Sequence, residues 1–239
     1  MAVAIVTGGS GGIGSEIVRS LGETYDVAIH YYSNEAGAKA LEKEMQESTD
    51  RSFATYQCDI ADPAEVEHMI DRITEELGEI EVLVNNGASG TSTSLVDATP
   101  EYIDRKVAVN LQGAMYCTKY VLPRMRDRTA ESNIVHISSS AGIHGSRRDP
   151  SYGAAKGGLI SFSKSIARAY TSEGIFSNVV APGPTDTEMY PAENVPTAEQ
   201  NMRISRLIQP EEIAEVVDFF ASNTAVSGEI LEVDGGRDI

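Results

Sequence analysis

The chain has 239 residues, 41% of them apolar and 23% charged, which is ordinary globular usage: long enough to bury a sizeable core and too apolar for disorder. No run approaches the roughly 18 apolar residues of a membrane span, and no charged segment precedes the short apolar run at the N-terminus, so neither an anchor nor a secretory leader is expected. Acidic residues number 36 against 19 Lys and Arg, a formal charge of −17, and such a surface repels phosphate backbones and anionic lipid; nucleic-acid and membrane partners are not expected.

In chain order, the apolar run Ala2–Val6 predicts a strand that ends in Thr7-Gly-Gly-Ser-Gly-Gly, and Ile13–Leu21 a helix. Asp26–Tyr31 is a second strand, followed after a polar boundary by a helix over Glu35–Glu47. Phe53–Gln57 reads as a strand, and Pro63 opens a helix to Leu77 behind an Asp62 cap. Val82–Val84 is a short buried strand. Pro100 begins one long helical region in which Val107, Leu111, Ala114 and Met115 recur at helical spacing. Ile134–Ile137 (strand), Ser151–Tyr170 (helix), Ser177–Val180 (strand), Pro210–Ala221 (helix) and Ile230–Val233 (strand) complete the series. Seven strands separated by helix-length segments predict a single α/β domain over 1–239, a doubly wound parallel sheet with helices on both faces. Asp186–Arg206, with Pro191 and Pro196, breaks the alternation just past a strand end. Open α/β sheets bind ligands there, so this segment reads as a small substrate lid.

Two motifs carry chemistry. Thr7–Gly14 follows the first strand and opens a helix, where glycines allow a tight turn and bring backbone N–H groups to a pyrophosphate at the positive helix end. Gly9-x-Gly11-x-x-Gly14 and Gly8-x-x-x-Gly12-x-Gly14 both fit, so the motif leaves its register open. Tyr152 and Lys156 are four apart on a helix and share a face. A tyrosine of pKa ~10 is a poor base at neutral pH, and a nearby ammonium lowers that pKa toward use as an acid/base for a carbonyl–alcohol pair. Ser139 lies thirteen residues before Tyr152, at a strand end where a hydroxyl can polarise a carbonyl oxygen.

Together with Cys58-Asp59-Ile60, Asn85-Asn86-Gly87-Ala88, Val109-Asn110-Leu111, Ser138-Ser139-Ser140, Pro182-Gly183-Pro184-Thr185-Asp186-Thr187 and Val233-Asp234-Gly235-Gly236, these motifs resemble the short-chain dehydrogenase/reductase family over essentially the whole chain. The overall resemblance is greatest to its 3-oxoacyl-(acyl-carrier-protein) reductases. It implies a Rossmann-type fold, an NAD(P) cofactor that carries the hydride, and the glycine register Gly8, Gly12, Gly14. It further implies a tetrad. Tyr152 exchanges the proton with the substrate oxygen, Ser139 holds that oxygen, Lys156 binds the nicotinamide ribose and lowers the Tyr152 pKa, and Asn110 holds a relay water. Cofactor contacts carried over with it are Gly8, Ser10, Gly12, Ile13 and Gly14 at the turn, Tyr31, Tyr32 and Ser33 after the second strand, Asp59 and Ile60 at the adenine, and Asn86 and Gly87 by the ribose. Pro182, Gly183, Thr185 and Thr187 follow at the carboxamide and phosphates, and Tyr152 and Lys156 of the tetrad are cofactor contacts as well. The family's Asn-Asn-Ala-Gly is Asn85-Asn86-Gly87-Ala88 here. A homotetramer is also implied, with the Asn110-region and Tyr152 helices between subunits; apolar Leu159, Ile160 and Ile166 are compatible with it.

Cofactor choice follows from charge. An acid about 20 residues past the glycines selects NAD through the ribose 2′-OH, whereas cations accept a 2′-phosphate. This chain has no carboxylate at Tyr31, where NAD-selecting relatives carry Asp, and no arginine at Gly11 or Tyr32, while Ser33 and Asn34 offer hydrogen bonds. NADP(H) is therefore expected over NAD(H). The substrate expected is a small carbonyl or alcohol, a 3-oxoacyl thioester first and a sugar or polyol as the alternative; a non-catalytic dinucleotide sensor is a remote third reading. Carrier-protein docking is not expected, because the positions that are arginine in such reductases are Ala130 and Glu173. Arg124, Arg126 and Arg128 read as a solvated helix end, with a displaced docking site the rival. His144, Arg147 and Arg148 border the cleft, where surface solvation outweighs a role in binding a substrate anion. His30, His68 and His136 show no ligand spacing, so no metal is expected. Cys58 and Cys117, 59 positions apart, suit a reducing, cytoplasmic setting.

The density of acid fits either an ordinary acidic enzyme or one tuned to a high-salt interior, where repulsion is screened. The second alternative predicts a thermal midpoint that rises between low and molar KCl, and an unchanged midpoint contradicts it.

Overall fold

The computed structural model describes residues 2–188, 190 and 195–236. The described strands are β1 (Ala2–Val6), β2 (Asp26–Tyr31), β3 (Phe53–Gln57), β4 (Glu79–Asn85), β5 (Ser132–Ile137), β6 (Ile175–Pro182) and β7 (Ile230–Val233). They form one all-parallel sheet in the order β3-β2-β1-β4-β5-β6-β7. The helices are α1 (Gly12–Leu21), α2 (Glu35–Ser48), α3 (Pro63–Glu76), α4 (Pro100–Val107), α5 (Gly113–Arg126), α6 (Ser140–His144), α7 (Pro150–Tyr170), α8 (Val195–Asn201) and α9 (Pro210–Ser222).

Alternate side chains of a strand leave the sheet on opposite faces, and here each face is covered. Ala4 and Val6 of β1 join Ile17, Val18 and Leu21 of α1, Leu41 and Met45 of α2, and Val217 and Phe220 of α9. Val3 and Ile5 join Met69 and Ile70 of α3 and Cys117 and Val121 of α5 on the other face. That double cover is why the central strands read as unbroken apolar runs. Leu159 and Ile166 of α7 are buried within the subunit, so their apolar character is accounted for by the core. The described residues contain no helix long and apolar enough to cross a membrane.

Four departures from the sequence reading have physical causes. β4 runs from Glu79 rather than Val82, because Glu79 and Ile80 pair with Ala2 and Val3 of β1 while Arg128 bonds the carboxylates of Glu79 (3.1 Å) and Glu81 (2.7 Å). The long helical region from Pro100 is α4 and α5 joined by a π-helical turn, Ala108–Gln112, which carries Asn110. Such turns occur most often at functional sites. Ser139 caps the short helix α6, which sequence periodicity could not reveal over five residues. The expected lid contains helix α8, with Pro196 inside it; Pro191 lies outside the described residues.

The glycine turn resolves the register that the motif left open. Gly8 has φ +64°, and a Cβ on Gly14 would overlap the Gly8 carbonyl oxygen. One on Gly12 would come within 2.6 Å of Thr187 Cγ2, whereas one on Gly11 meets nothing nearer than 3.7 Å. Gly9 is also crowded, with Ile29 Cγ2 3.0 Å from a Cβ built there, but the open space at Gly11 favours the register Gly8, Gly12 and Gly14. Gly14→Ala is expected to destabilise by about 1–3 kcal/mol in urea unfolding. Gly11→Ala, a change of helix N-cap only, stays within about 1 kcal/mol of wild type; equal effects at the two positions would contradict this register.

Candidate active site

The strand order reverses between β1 and β4, and the crevice beyond the carboxyl ends of these strands is where the expected residues gather. Asn34, Asp62, Thr99 and Asp149 cap α2, α3, α4 and α7 with their side chains. α1 differs: Gly11 supplies no side-chain cap and the first turn has no acid, so the amides there remain available to an anion. Around the turn, Asn86 donates from Nδ2 to Thr7 O (2.9 Å) and Gly8 O (3.1 Å), and Thr7 Oγ1 accepts from the amides of Asn86 and Gly87, both at 2.9 Å. Asn86 therefore braces the turn through its side-chain amide. Gly87 stands in the family's Ala position with Ile60 against it; a Cβ there would reach Ile60 Cδ1 at 2.8 Å.

His30, which sequence spacing gave no role, is a second brace. Its Nδ1 accepts from Gly8 N and its Nε2 faces Cys58 O, both at 2.9 Å. A carbonyl only accepts, so Nε2 carries the proton and the ring is neutral. Its place 22 residues after Gly8, at the strand end beside the turn, was the available signal.

At the end of the crevice beside β2 and β3, Asp59 accepts from Arg105 Nη1 (2.7 Å), and the guanidinium lies 5.5 Å from the centre of the exposed Tyr32 ring. Sequence reading missed this cation because α4 delivers it from far along the chain. Tyr31 packs into the core, so its side chain is not brought to the crevice with Tyr32. Asn34 caps α2 through Gly37 N and donates to Ser10 O, which commits it elsewhere and leaves Ser33 exposed. Thr185 bridges to Ile208, and Thr187 lies against Gly12.

At the far end, Ser138 spends its hydroxyl on Lys156 O (2.9 Å), whereas Ser139 Oγ accepts from Ala141 N (3.1 Å) and stands near enough to Tyr152 to favour its phenolate. The fully buried Lys156 donates to Ile137 O at 2.7 Å, and its Nζ stands 5.8 Å from the Tyr152 ring centre. Burial first, and the neighbouring Lys106 ammonium second, push Lys156 down to about 8. The expected lowering of the Tyr152 pKa by Lys156 is not what this structure holds. Burial raises the phenol, Asp149 raises it further, and only Ser139 opposes them, because Lys156 points to the Ile137 carbonyl. Buried Asn110 donates to Lys106 O (3.0 Å) and Ser89 Oγ (3.3 Å), which leaves its Oδ1 as an acceptor not bonded within the subunit.

A family model described as enoyl-(acyl-carrier-protein) reductase matches residues 8–238. The chain belongs to the short-chain dehydrogenase/reductase family. It is an oxidoreductase of that family. A 3-oxoacyl-(acyl-carrier-protein) reductase of Staphylococcus aureus is 34% identical over 98% of this chain and 96% of its own. An acetoacetyl-CoA reductase of Rhizobium meliloti is 35% identical over 98% of each. A short-chain dehydrogenase of Burkholderia cenocepacia, solved in complex with NADP, superposes with a TM-score of 0.92 at 30% identity, covering 99% of this chain and 97% of that one.

Residues outside the crevice are otherwise engaged. His144 pairs with Glu232 at 2.8 Å, and Arg147 is exposed. Arg124 pairs with Asp71, Arg126 with Glu173 (2.6 Å), and Arg128 with Glu79 and Glu81. No group of three or more His, Cys, Asp or Glu that could hold a metal comes together among the described residues.

Burial holds His30 below its ordinary value of 6.5 and, with Lys156 adding repulsion, His136 at about 3. The unfolded chain takes up protons that these folded imidazoles refuse, so their contribution is intact above pH 6.5 and is lost as pH falls below it. Denaturant midpoints should therefore drop on acidification from that point. His30→Asn, which keeps a donor and an acceptor, should drop less steeply; an identical slope would contradict a buried neutral His30.

Proposed function

We propose that this protein is an NADPH-dependent reductase of 3-oxoacyl thioesters, with Tyr152 as proton donor to the carbonyl oxygen. The observation that carries the proposal is the gathering of Ser139, Tyr152, Lys156 and Asn110 at the crevice that also holds the uncapped amides of α1. The chain fits a dinucleotide: the turn excludes side chains at Gly8, Gly12 and Gly14, and the first amides of α1 lack a side-chain cap. Thr7–Gly14 would hold the pyrophosphate, Asp59, Ile60 and Tyr32 the adenosine end, and Lys156 the nicotinamide ribose. When bound, the dinucleotide supplies a hydride.

The remaining work belongs to the protein. Ser139 and the Tyr152 hydroxyl would bind the carbonyl oxygen and polarise it. Tyr152 then gives up its proton to that oxygen as negative charge develops. Burial keeps the phenol protonated before the reaction, which suits a donor in the reductive direction. A water on Asn110 Oδ1 would return the proton from solvent, with the Lys156 ammonium beside the path.

Two observations support NADP over NAD: no carboxylate stands among Tyr31, Tyr32, Ser33 and Asn34 at the end of β2, and Arg105 brings a cation to Tyr32. A coenzyme A thioester is favoured over a carrier-protein one. Glu173 stands where docking arginines occur, and the arginines nearby are paired within the subunit. We further propose that 186–206 is the substrate lid and that the enzyme is a homotetramer, with the exposed Met115 of α5 at a subunit contact.

The test is acetoacetyl-CoA reduction with NADPH and with NADH. Turnover at least about tenfold more efficient with NADPH supports the reading, a difference near 1.4 kcal/mol. Preference for NADH would overturn the cofactor assignment, and no turnover with dinucleotide binding intact would shift the substrate to a sugar, polyol or other small alcohol.

A further inference from the structure

Two charged side chains that this acid–base reading leaves unused are buried beside it. Lys106 of α4 and Asp149, the cap of α7, are each 2% exposed, with Nζ and Oδ2 3.6 Å apart. Removing such a pair from water is costly, and its mutual attraction offsets the cost only when further hydrogen bonds satisfy the remaining protons and lone pairs. Those further bonds run into the segments that carry the acid–base residues. Lys106 Nζ donates to Ser89 O at 2.8 Å, Ser89 Oγ accepts from Asn110, and Asn110 also donates to Lys106 O. Asp149 Oδ1 accepts the backbone N–H of Tyr152 itself at 3.0 Å, and Oδ2 accepts the Tyr102 hydroxyl at 2.6 Å. The Lys106 ammonium lies 5.7 Å from the Tyr152 ring centre, matching Lys156 at 5.8 Å.

We propose that Lys106 and Asp149 are a positioning pair for the acid–base site, fixing Tyr152 and Asn110 relative to one another and setting the charge around the phenol. The inference rests on the reading that Tyr152 is the proton donor. The bond from Tyr152 N to Asp149 is also the cap of α7, but the ammonium beside that cap ties the start of α7 to α4 and to the loop that follows β4, which a cap alone would not do. An apolar pair of the same volume would fill the space without joining these three segments.

Around the Tyr152 ring the charged and titratable groups among the described residues are Lys106 and Tyr102 from α4, Asp149 before α7 and Lys156 within it, with Ser139 from the end of β5. Removing the Lys106 charge leaves Asp149 unopposed and makes the phenolate harder to form; removing the Asp149 charge does the reverse.

The experiment measures NADP-dependent oxidation of 3-hydroxybutyryl-CoA against pH, with dinucleotide affinity measured separately by fluorescence. Lys106→Met is expected to lower kcat about tenfold or more with dinucleotide affinity unchanged, and to move the rising limb of kcat/KM to higher pH. Asp149→Asn keeps the cap and moves that limb to lower pH. The double variant Lys106→Met/Asp149→Asn removes both charges together and so avoids a lone buried ion if Lys106→Met does not fold; its kcat should stay low. A folded double variant with wild-type kcat and pH profile overturns the proposal, as do single variants that lose stability while both limbs stay in place. Tyr152→Phe separates the two levels. If that variant stays active, the acid–base reading fails; if it is inactive while the Lys106 and Asp149 variants behave as wild type, only the positioning pair fails.

Discussion

A parallel sheet covered by helices on both faces leaves polar side chains little room to meet except at its carboxyl edge, and most of all where the strand order reverses. In this chain the reversal falls between β1 and β4. Every group with chemistry to offer is delivered there by a different element: the glycine turn after β1, Asn86 after β4, Ser139 after β5, Asn110 on a π-helical turn and Tyr152 and Lys156 on the first turns of α7. The crevice is a consequence of topology, and the braces that hold it are hydrogen bonds between strand ends, those of Thr7, His30 and Asn86 among them.

Electrostatics at the catalytic end are those of a crowded, dry site. Two ammonium groups, a carboxylate and a phenol share it, and burial pushes each lysine down and the phenol up. Lys156 bonded to a backbone carbonyl and Tyr152 held protonated suit the proton donor proposed above. The same pair read from spacing alone described an acid/base of lowered pKa, because spacing conveys proximity and omits desolvation.

The fold was legible because its signals are local and repeated. Strand bounds at Ala2–Val6, Asp26–Tyr31, Phe53–Gln57 and Ile230–Val233 follow from apolar runs ended by polar or glycine residues, and the Asp62 cap from its neighbour Pro63. Gly8, Ser139, Tyr152 and Lys156 were legible as motifs. What escaped were pairings set by tertiary approach: Arg105 on Tyr32, His30 on Gly8, and Lys106 on Asp149. In each the partners are more than twenty residues apart and belong to different elements. The π-helical turn escaped for another reason, since one extra residue per turn barely disturbs helical periodicity.

Central to the account is that one phenol passes the proton in a site whose dinucleotide binding does not depend on it. The direct measurement is single-turnover reduction of acetoacetyl-CoA by Tyr152→Phe, alongside its affinity for NADPH. The account predicts affinity near that of wild type and a rate about 10²–10⁴-fold slower. A variant that binds NADPH and reduces the thioester at close to the wild-type rate would contradict it.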